Sequence, residues 1–256
     1  MTERIVITRP QAQAELLARK VSALGLEAVV FPLLVISELP DQAALRAVLA
    51  DLQPFSLVAF VGPNAIDAAL THLEVWPAGV PIAIMGDGSR LALARHGITE
   101  ANATIYRPHT PERADSESLL AALDLPALRG KKALIIRGET GRELLADALR
   151  AAGVAVSQVA AYRRTAPMLD QALRLRLLEL LASDSVWVVT SSEALRNLQQ
   201  MTSDLVGDAA VANLQQQRLI VSHMRIAEKA QTLGFANVVC AGSSDEHLLA
   251  AIQSSL

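Results

Sequence analysis

The chain has 256 residues, 52% of them apolar and only 3% aromatic, and a formal net charge of −3. That is enough aliphatic material for one large core or two ordinary ones, while the few aromatic rings and the lack of a polybasic stripe exclude nucleic-acid and membrane-surface partners. A single cysteine, Cys240, excludes an intrachain disulfide and a cysteine-based zinc site.

The chain enters an apolar run almost at once, with no signal-peptide core and no apolar stretch of membrane-spanning length, so a cytoplasmic protein is expected. Residues 5–7 read as the first strand, and Pro10 suits the first turn of the helix that follows. Residues 28–36 form a long apolar extended segment interrupted by Pro32, as at an edge or a crossing between domains. Strands are predicted at 57–61, 82–85, 104–106 and 133–136, with helices at 41–52, 64–72, 89–96 and 116–123; RPHTPERAD, 107–115, is the one long polar loop. After the strand at 133–136, Gly138 and Gly141 break the run. Thr140 and Glu143 have the spacing of a capping box. Leu144, Leu145, Ala148 and Leu149 give the next helix one apolar face, and Gly153 ends it. A strand follows from Val154 to Tyr162, running on to Arg164 as a connector paired with 28–36. Later strands fall at 186–189, 219–221 and 238–240, with helices starting near Ser192, Met224 and Ser244; Ser243 and Glu246 have capping-box spacing, and Cys240 in ANVVCAG reads as a core residue.

The opening unit, IVITRPQAQAELLARKVSALGLEAVVFPLL, repeats in KALIIRGETGRELLADALRAAGVAVSQVAAYRR at an offset of 128 residues, which places Arg9 on Arg137, Glu15 on Glu143 and Gly25 on Gly153. FVGPNAIDAAL resembles VTSSEALRNL, and PIAIMGDGSRLALARHGI resembles RLIVSHMRIAEKAQTLGF, more weakly. The duplication and the alternation of strands with helices predict two similar α/β domains with parallel sheets. The expected layout is domain one at 1–33 and 167–256, domain two inserted at 38–161, and linkers at 34–37 and 162–166.

In open α/β sheets ligands bind beyond the carboxyl ends of the strands, where helix N-termini present amide N–H groups and partial positive charge. There this sequence places Thr8-Arg9-Pro10, Gly62-Pro63-Asn64, Gly86-Asp87-Gly88-Ser89, Arg137-Gly138-Glu139-Thr140, Thr190-Ser191-Ser192 and Ser222-His223. Several such termini facing one cleft between the domains would suit a polyanion; the competing reading is that the small polar residues only cap helices. RGETG is neither a dinucleotide fingerprint nor a Walker loop. Arg9 and Arg137 are candidates for anion binding or plain sheet-end charges. His72, His96, His109, His223 and His247 show no metal spacing, and His96 before Gly97 reads as a helix C-terminal cation. Tyr162, one of two tyrosines, is a candidate whose competing reading is a buried or stacking ring.

The chain as a whole resembles the uroporphyrinogen-III synthase family, through RGETGRELLADALRAAGVAVSQVAAYRR, the opening IVITRP, VVTSSEALRNL and SHMRIAEKAQTLGFANVVCAG in this order and spacing. The resemblance implies two flavodoxin-like, doubly wound domains joined by a two-stranded linker, with variable domain angles. It implies a lyase of porphyrin and heme biosynthesis that closes linear hydroxymethylbilane to uroporphyrinogen III in the interdomain cleft, with inversion of ring D and loss of water. No cofactor and no metal are implied, and a monomer is expected. Tyr162 falls on the family tyrosine proposed to protonate the departing hydroxyl. Ser89 falls where the family often has threonine, and Thr190, Ser191 and Ser192 fall on its hydroxyl-rich turn. With Arg9, Gly62, Asn64, Gly86, Arg137, Gly138 and Ser222 they make up the expected substrate-binding set. Two departures, Val61-Gly62-Pro63 and His223-Met224-Arg225-Ile226, favour backbone amides over side chains as holders of the substrate's eight carboxylates. The alternatives are a non-enzymatic two-domain small-anion binding protein, against which the missing signal peptide counts, and a nucleotide-sugar transferase, against which the short chain and absent glycine fingerprint count.

Overall fold

A computed structural model describes residues 3–108 and 115–255, so most of the polar loop read at 107–115, with His109, lies outside the described residues. The chain divides into two compact units, Met1–Val35 with Thr165–Leu256, and Ile36–Arg164. In chain order the first unit opens with β1 (Arg4–Ile7), α1 (Gln11–Ala23) and β2 (Glu27–Val30). There follow β3 (Val35–Ser37), α2 (Ala43–Leu49), β4 (Leu57–Phe60), α3 (Pro63–Leu70), β5 (Ile82–Ile84), α4 (Asp87–Arg95), β6 (Ile105–Tyr106), α5 (Ser116–Ala121), α6 (Leu125–Leu128), β7 (Lys132–Gly138), α7 (Leu144–Ala151) and β8 (Ala155–Thr165). The first unit is completed by α8 (Gln171–Leu181), β9 (Ser185–Val189), α9 (Ser192–Val206), α10 (Asp208–Gln216), β10 (Arg218–Val221), α11 (Met224–Thr232), β11 (Asn237–Cys240) and α12 (Asp245–Ser254).

The first unit's sheet runs β11-β10-β9-β1-β2, every neighbouring pair parallel. Numbered within the unit this is the doubly wound order 2-1-3-4-5. The second sheet runs β3-β8-β7-β4-β5-β6, with β8, β7, β4, β5 and β6 parallel in turn. Taking β7 as its first strand gives 2-1-3-4-5 again, so the second unit is a circular permutation of the same winding with β3 added beside β8. The inner strands are aliphatic on both faces because helices cover both. In the second unit Leu134 and Ile136 pack with α2, α3 and α4, while Ala133 and Ile135 pack with α5 and α7. In the first, Val6 and Val189 pack with α8, α9 and α11, while Ile5, Ile7 and Val188 pack with α1 and α12. The duplication is visible at the helix ends: Gly25 and Gly153 have φ of 78° and 83° just past α1 and α7, a conformation side chains with a Cβ rarely adopt.

Several local expectations are corrected. The segment at 28–36 is not one strand. β2 stops at Val30, Pro32 sits in the break, and Phe31, Leu33 and Leu34 sink into the first unit's core. The Nδ2 of Asn197 donates to the Leu33 carbonyl there (2.8 Å). Thr140 and Glu143 do not form a capping box, since α7 starts only at Leu144 and the Glu143 carboxylate turns to side chains. At α12 the cap is Ser244, accepting from His247 N, rather than Ser243 with Glu246. Cys240 is exposed rather than core, at the end of β11, the sheet's edge strand. Helices α6, α8 and α10 carried no sequence expectation.

Candidate functional site

A doubly wound sheet opens a crevice where the strand order reverses. In the first unit this is between β1 and β9, and in the second between β7 and β4. The carboxyl ends of these strands carry Thr8, Arg9, Thr190, Ser191 and Ser192 in one unit, and Gly138, Gly62 and Asn64 in the other. Gly86 and Ser89 follow β5, and Ser222 follows β10, one strand further out.

Tyr162 turns onto the carboxyl end of β7, one edge of the second crevice, through a register irregularity. The β7–β8 ladder pairs Arg137 with Ala160 and then Gly138 with Tyr162, leaving Ala161 extra. A bulge of this kind puts two successive residues on one face, and Ala161 and Tyr162 both join the core on the α2–α3–α4 side. The phenol is 5% exposed and lies against the last residue of β7: a Cβ built on Gly138 would stand 3.0 Å from Cζ and 3.2 Å from the hydroxyl oxygen. Val61 N donates to Ile136 O (2.9 Å), bringing the end of β4 beside β7, and α3 packs on β7. Tyr162 and Gly138 thus meet at the carboxyl end of β7, and α3, with Gly62 as its N-cap and Pro63 at its first position, starts at the carboxyl end of the neighbouring β4. Gly62 has φ of 97°, which lets the chain turn from β4 directly into α3.

Arg137 lies on the other face. Its guanidinium donates to the Glu143 carboxylate and to Gln158 Oε1 (2.9 Å), and Gln158 Nε2 donates to Glu143 (2.6 Å). Gln158 and then Arg137, as hydrogen-bond donors, hold Glu143 below the usual carboxylate range. A Cβ on Gly141 would meet Arg137 Nη2 at 2.6 Å, so a side chain there would push the guanidinium from its place. Arg9, its repeat partner, takes a different acid: Nη1 donates to Asp245 of α12 (2.6 Å), which also accepts from Lys20 (2.7 Å). Burial opposes ionisation of Asp245, but the bonds from Lys20 and Arg9 outweigh it and lower its pKa. Both arginines are thus engaged by carboxylates of their own unit.

The hydroxyl turns divide in the same way. Ser191 Oγ caps α9, accepting from Glu193 N (3.2 Å) and Ala194 N (3.4 Å). Ser89 is 3% exposed in the first turn of α4, and Ser222 is also buried. Thr190 and Ser192 are half-buried at the start of α9. Asp87 occupies the first turn of α4 beside Arg90 (3.2 Å), so that terminus already carries an anion. His223, a residue type with no strong capping signal, caps α11 by accepting from Arg225 N at Nδ1 (3.1 Å). His96, the C-cap of α4, faces Asp67 through Nε2 (3.1 Å). Glu139 figures in the sequence only as one member of a turn, and Arg163 and Gln158 carry no motif that would single them out. Among the described residues no group of three or more His, Cys, Asp or Glu is placed to hold a metal ion, and no helix is long and apolar enough to cross a membrane.

Fold and site define a duplicated, doubly wound α/β protein with its polar, glycine-rich turns gathered at strand carboxyl ends. The uroporphyrinogen-III synthase HemD family matches residues 15–250. The chain is 33% identical to the uroporphyrinogen-III synthase of Salmonella typhimurium and 31% identical to that of Escherichia coli K12, with 97% of this chain and 99% of each relative covered. Among solved structures, uroporphyrinogen-III synthetase from Helicobacter pylori shares the fold with a TM-score of 0.65 at 16% identity over 100% of both chains. A mutant uroporphyrinogen III synthase from the extremely thermophilic bacterium Thermus thermophilus does so at 0.60 and 17%, over 99% of this chain and 98% of its own. The chain belongs to the uroporphyrinogen-III synthase family, whose members are cyclising lyases of heme biosynthesis.

Proposed function

We propose that the chain cyclises linear hydroxymethylbilane to uroporphyrinogen III, inverting ring D and releasing one water, with Tyr162 as the proton donor to the departing hydroxyl. Family membership supports the reaction. The observation that carries the residue assignment is the Tyr162 ring turned by the bulge onto Gly138, at the carboxyl end of β7. In the first step the phenol proton passes to the hydroxyl oxygen, the C–O bond breaks, and water leaves a pyrrole-stabilised cation. That cation bonds to the substituted α-carbon of ring D, giving a spiro ring. The bond from that carbon to its original methylene bridge then breaks, ring D turns, and the freed methylene cation bonds to ring D's other α-carbon, whose proton is lost and restores the phenol. The uninverted isomer forms without help, so the task is to favour one geometry over an easy competitor.

The substrate's carboxylates are assigned to backbone amides and small residues at Gly62, Asn64, Gly138, Thr190 and Ser192, while Gly86, whose helix start already carries Asp87, and the buried Ser222 are assigned to the fold. Arg9 and Arg137 are assigned to holding their turns, since each is already bonded to an internal carboxylate. The cap at Ser191 and the burial of Ser89 assign their hydroxyls to the fold. A monomer is proposed, and sedimentation is expected to give the mass of a single chain.

The test generates hydroxymethylbilane in situ, adds the protein, oxidises, and separates type I from type III porphyrin. Dominant type III is expected; type I alone, with the protein folded, overturns the reading. Tyr162→Phe should lower kcat by about 10²- to 10⁴-fold, and unchanged kinetics would remove Tyr162 from the chemistry.

A further inference from the structure

The last rung of a strand ladder is where a sheet opens most readily, yet the Tyr162 rung is tied from three sides. Glu139 N donates to the Tyr162 carbonyl (2.9 Å). The Arg163 guanidinium grips the Glu139 carboxylate with two bonds, Nε to Oε2 (2.7 Å) and Nη2 to Oε1 (2.8 Å). Arg164 Nη2 donates to the Thr140 carbonyl (2.9 Å). The first two residues past Gly138 thus hold three successive residues of β8, and Glu139 holds two of them, through main chain and side chain together.

We propose that Glu139 and Arg163 are positioning residues for the Tyr162 phenol: their paired bonds fix the end of β8 so that the ring stays pressed on Gly138 with its hydroxyl at the carboxyl end of β7. The proposal rests on Tyr162 being the proton donor. A forked guanidinium–carboxylate pair fixes orientation as well as distance. Both side chains are about 40% exposed, and exposed pairs contribute little to global stability, so the pair's effect falls on local geometry. The Arg163 bond lowers the Glu139 pKa, which keeps the fork charged at neutral pH. The extra residue at Ala161 is what needs such a tie, because a bulge leaves one residue without a ladder partner.

The test is a double-mutant cycle on the full chain. Type III formation is measured for Glu139→Gln and Arg163→Met, each alone and combined with Tyr162→Phe, together with melting temperatures. Each single variant should lose about 10- to 100-fold in kcat, the cost of a small misplacement of a reacting group. KM should stay within about twofold and melting within about a degree or two. In the Tyr162→Phe background neither should cost anything further. The charge swap Glu139→Arg with Arg163→Glu should recover part of the loss. Unchanged kcat in both singles beside a slow Tyr162→Phe overturns the clamp alone, as does an equal loss in both backgrounds. A Tyr162→Phe variant of unchanged rate removes the proton donor and the clamp's role with it.

Discussion

Gly138 sits in extended backbone inside β7, so its φ does not demand glycine; the Tyr162 ring does. A methyl group there would press on Cζ, Cε2 and the hydroxyl oxygen at 3.0–3.3 Å. The ring has little room to retreat, being packed in the core on one side and tied through its own carbonyl on the other. Gly138→Ala should therefore overpack the site at about 1–3 kcal/mol, lower the melting temperature by several degrees, and cut kcat more than KM. Calorimetry and isomer-resolved kinetics check both, and a variant with normal melting and rate would mean that the ring moves aside freely. The sequence drew attention to Tyr162 but could not give its direction. Counting by twos from Val159, which faces α2 and α3, puts Tyr162 on the opposite face; only the extra residue at Ala161 turns it back. Nothing in the local sequence VAAYRR marks that insertion.

At the scale of elements, what could be read was periodicity, and what could not was competition between side chains for the same groups. Thr140 and Glu143 have capping-box spacing, but Arg137 on the preceding strand and Gln158 on the following one both reach Glu143. A charge-assisted bond outcompetes a backbone N–H for that carboxylate, so the helix starts later and the turn becomes a bracket. Helix α8 carries little periodic signal, because the polar–apolar mixture QALRLRLLELL gives a weak stripe in which only Leu177 and Leu180 are buried. Ser191 offers a clean separation of capping from ligand binding. Ser191→Ala should destabilise α9 by about 1 kcal/mol and Ser191→Gly by only a few tenths, while a substrate-binding hydroxyl would raise KM equally in both. Asp245 ties α12 to α1 through Lys20 and to the turn before it through Arg9. Its folded pKa lies below its unfolded value, so the unfolded chain takes up the proton first as pH falls. The stabilisation is complete above the unfolded value of about 3.9 and is lost as pH drops through the lowered folded value. Asp245→Asn should lose about 1–3 kcal/mol at neutral pH and show a shallower acid limb in a melting-temperature profile; a limb as steep as that of the parent would mean the triad does not couple folding to pH.

The whole molecule is one winding used twice, and the second use is cut open at a different place. The duplication was legible because it is written locally, in Arg9 and Arg137, Glu15 and Glu143, Gly25 and Gly153. The permuted strand order was not, because the neighbours of a parallel strand are chosen across the sheet, as when Ala133 of β7 pairs with Leu57 of β4, far earlier in the chain. The two copies have also diverged where it matters: β8 runs on through Tyr162 to Thr165, whereas β2 stops at Val30 and the equivalent stretch, with Leu34 at the position of the tyrosine, turns into the core. Each of the four cores draws on residues of one unit only. The second unit is continuous in sequence, carries helices on both faces of its sheet, and closes its own winding from β4 to β8. A fragment of residues 36–164 should accordingly fold by itself, with a single cooperative urea transition and a slope of about 1–3 kcal/mol per molar denaturant. Circular dichroism and tryptophan emission from Trp76, which packs on Phe60 at 5.8 Å, should report the same midpoint. A broad, non-coincident transition would show that the permuted unit depends on the rest of the chain for its fold, and that the duplication preserved the topology without preserving independent stability.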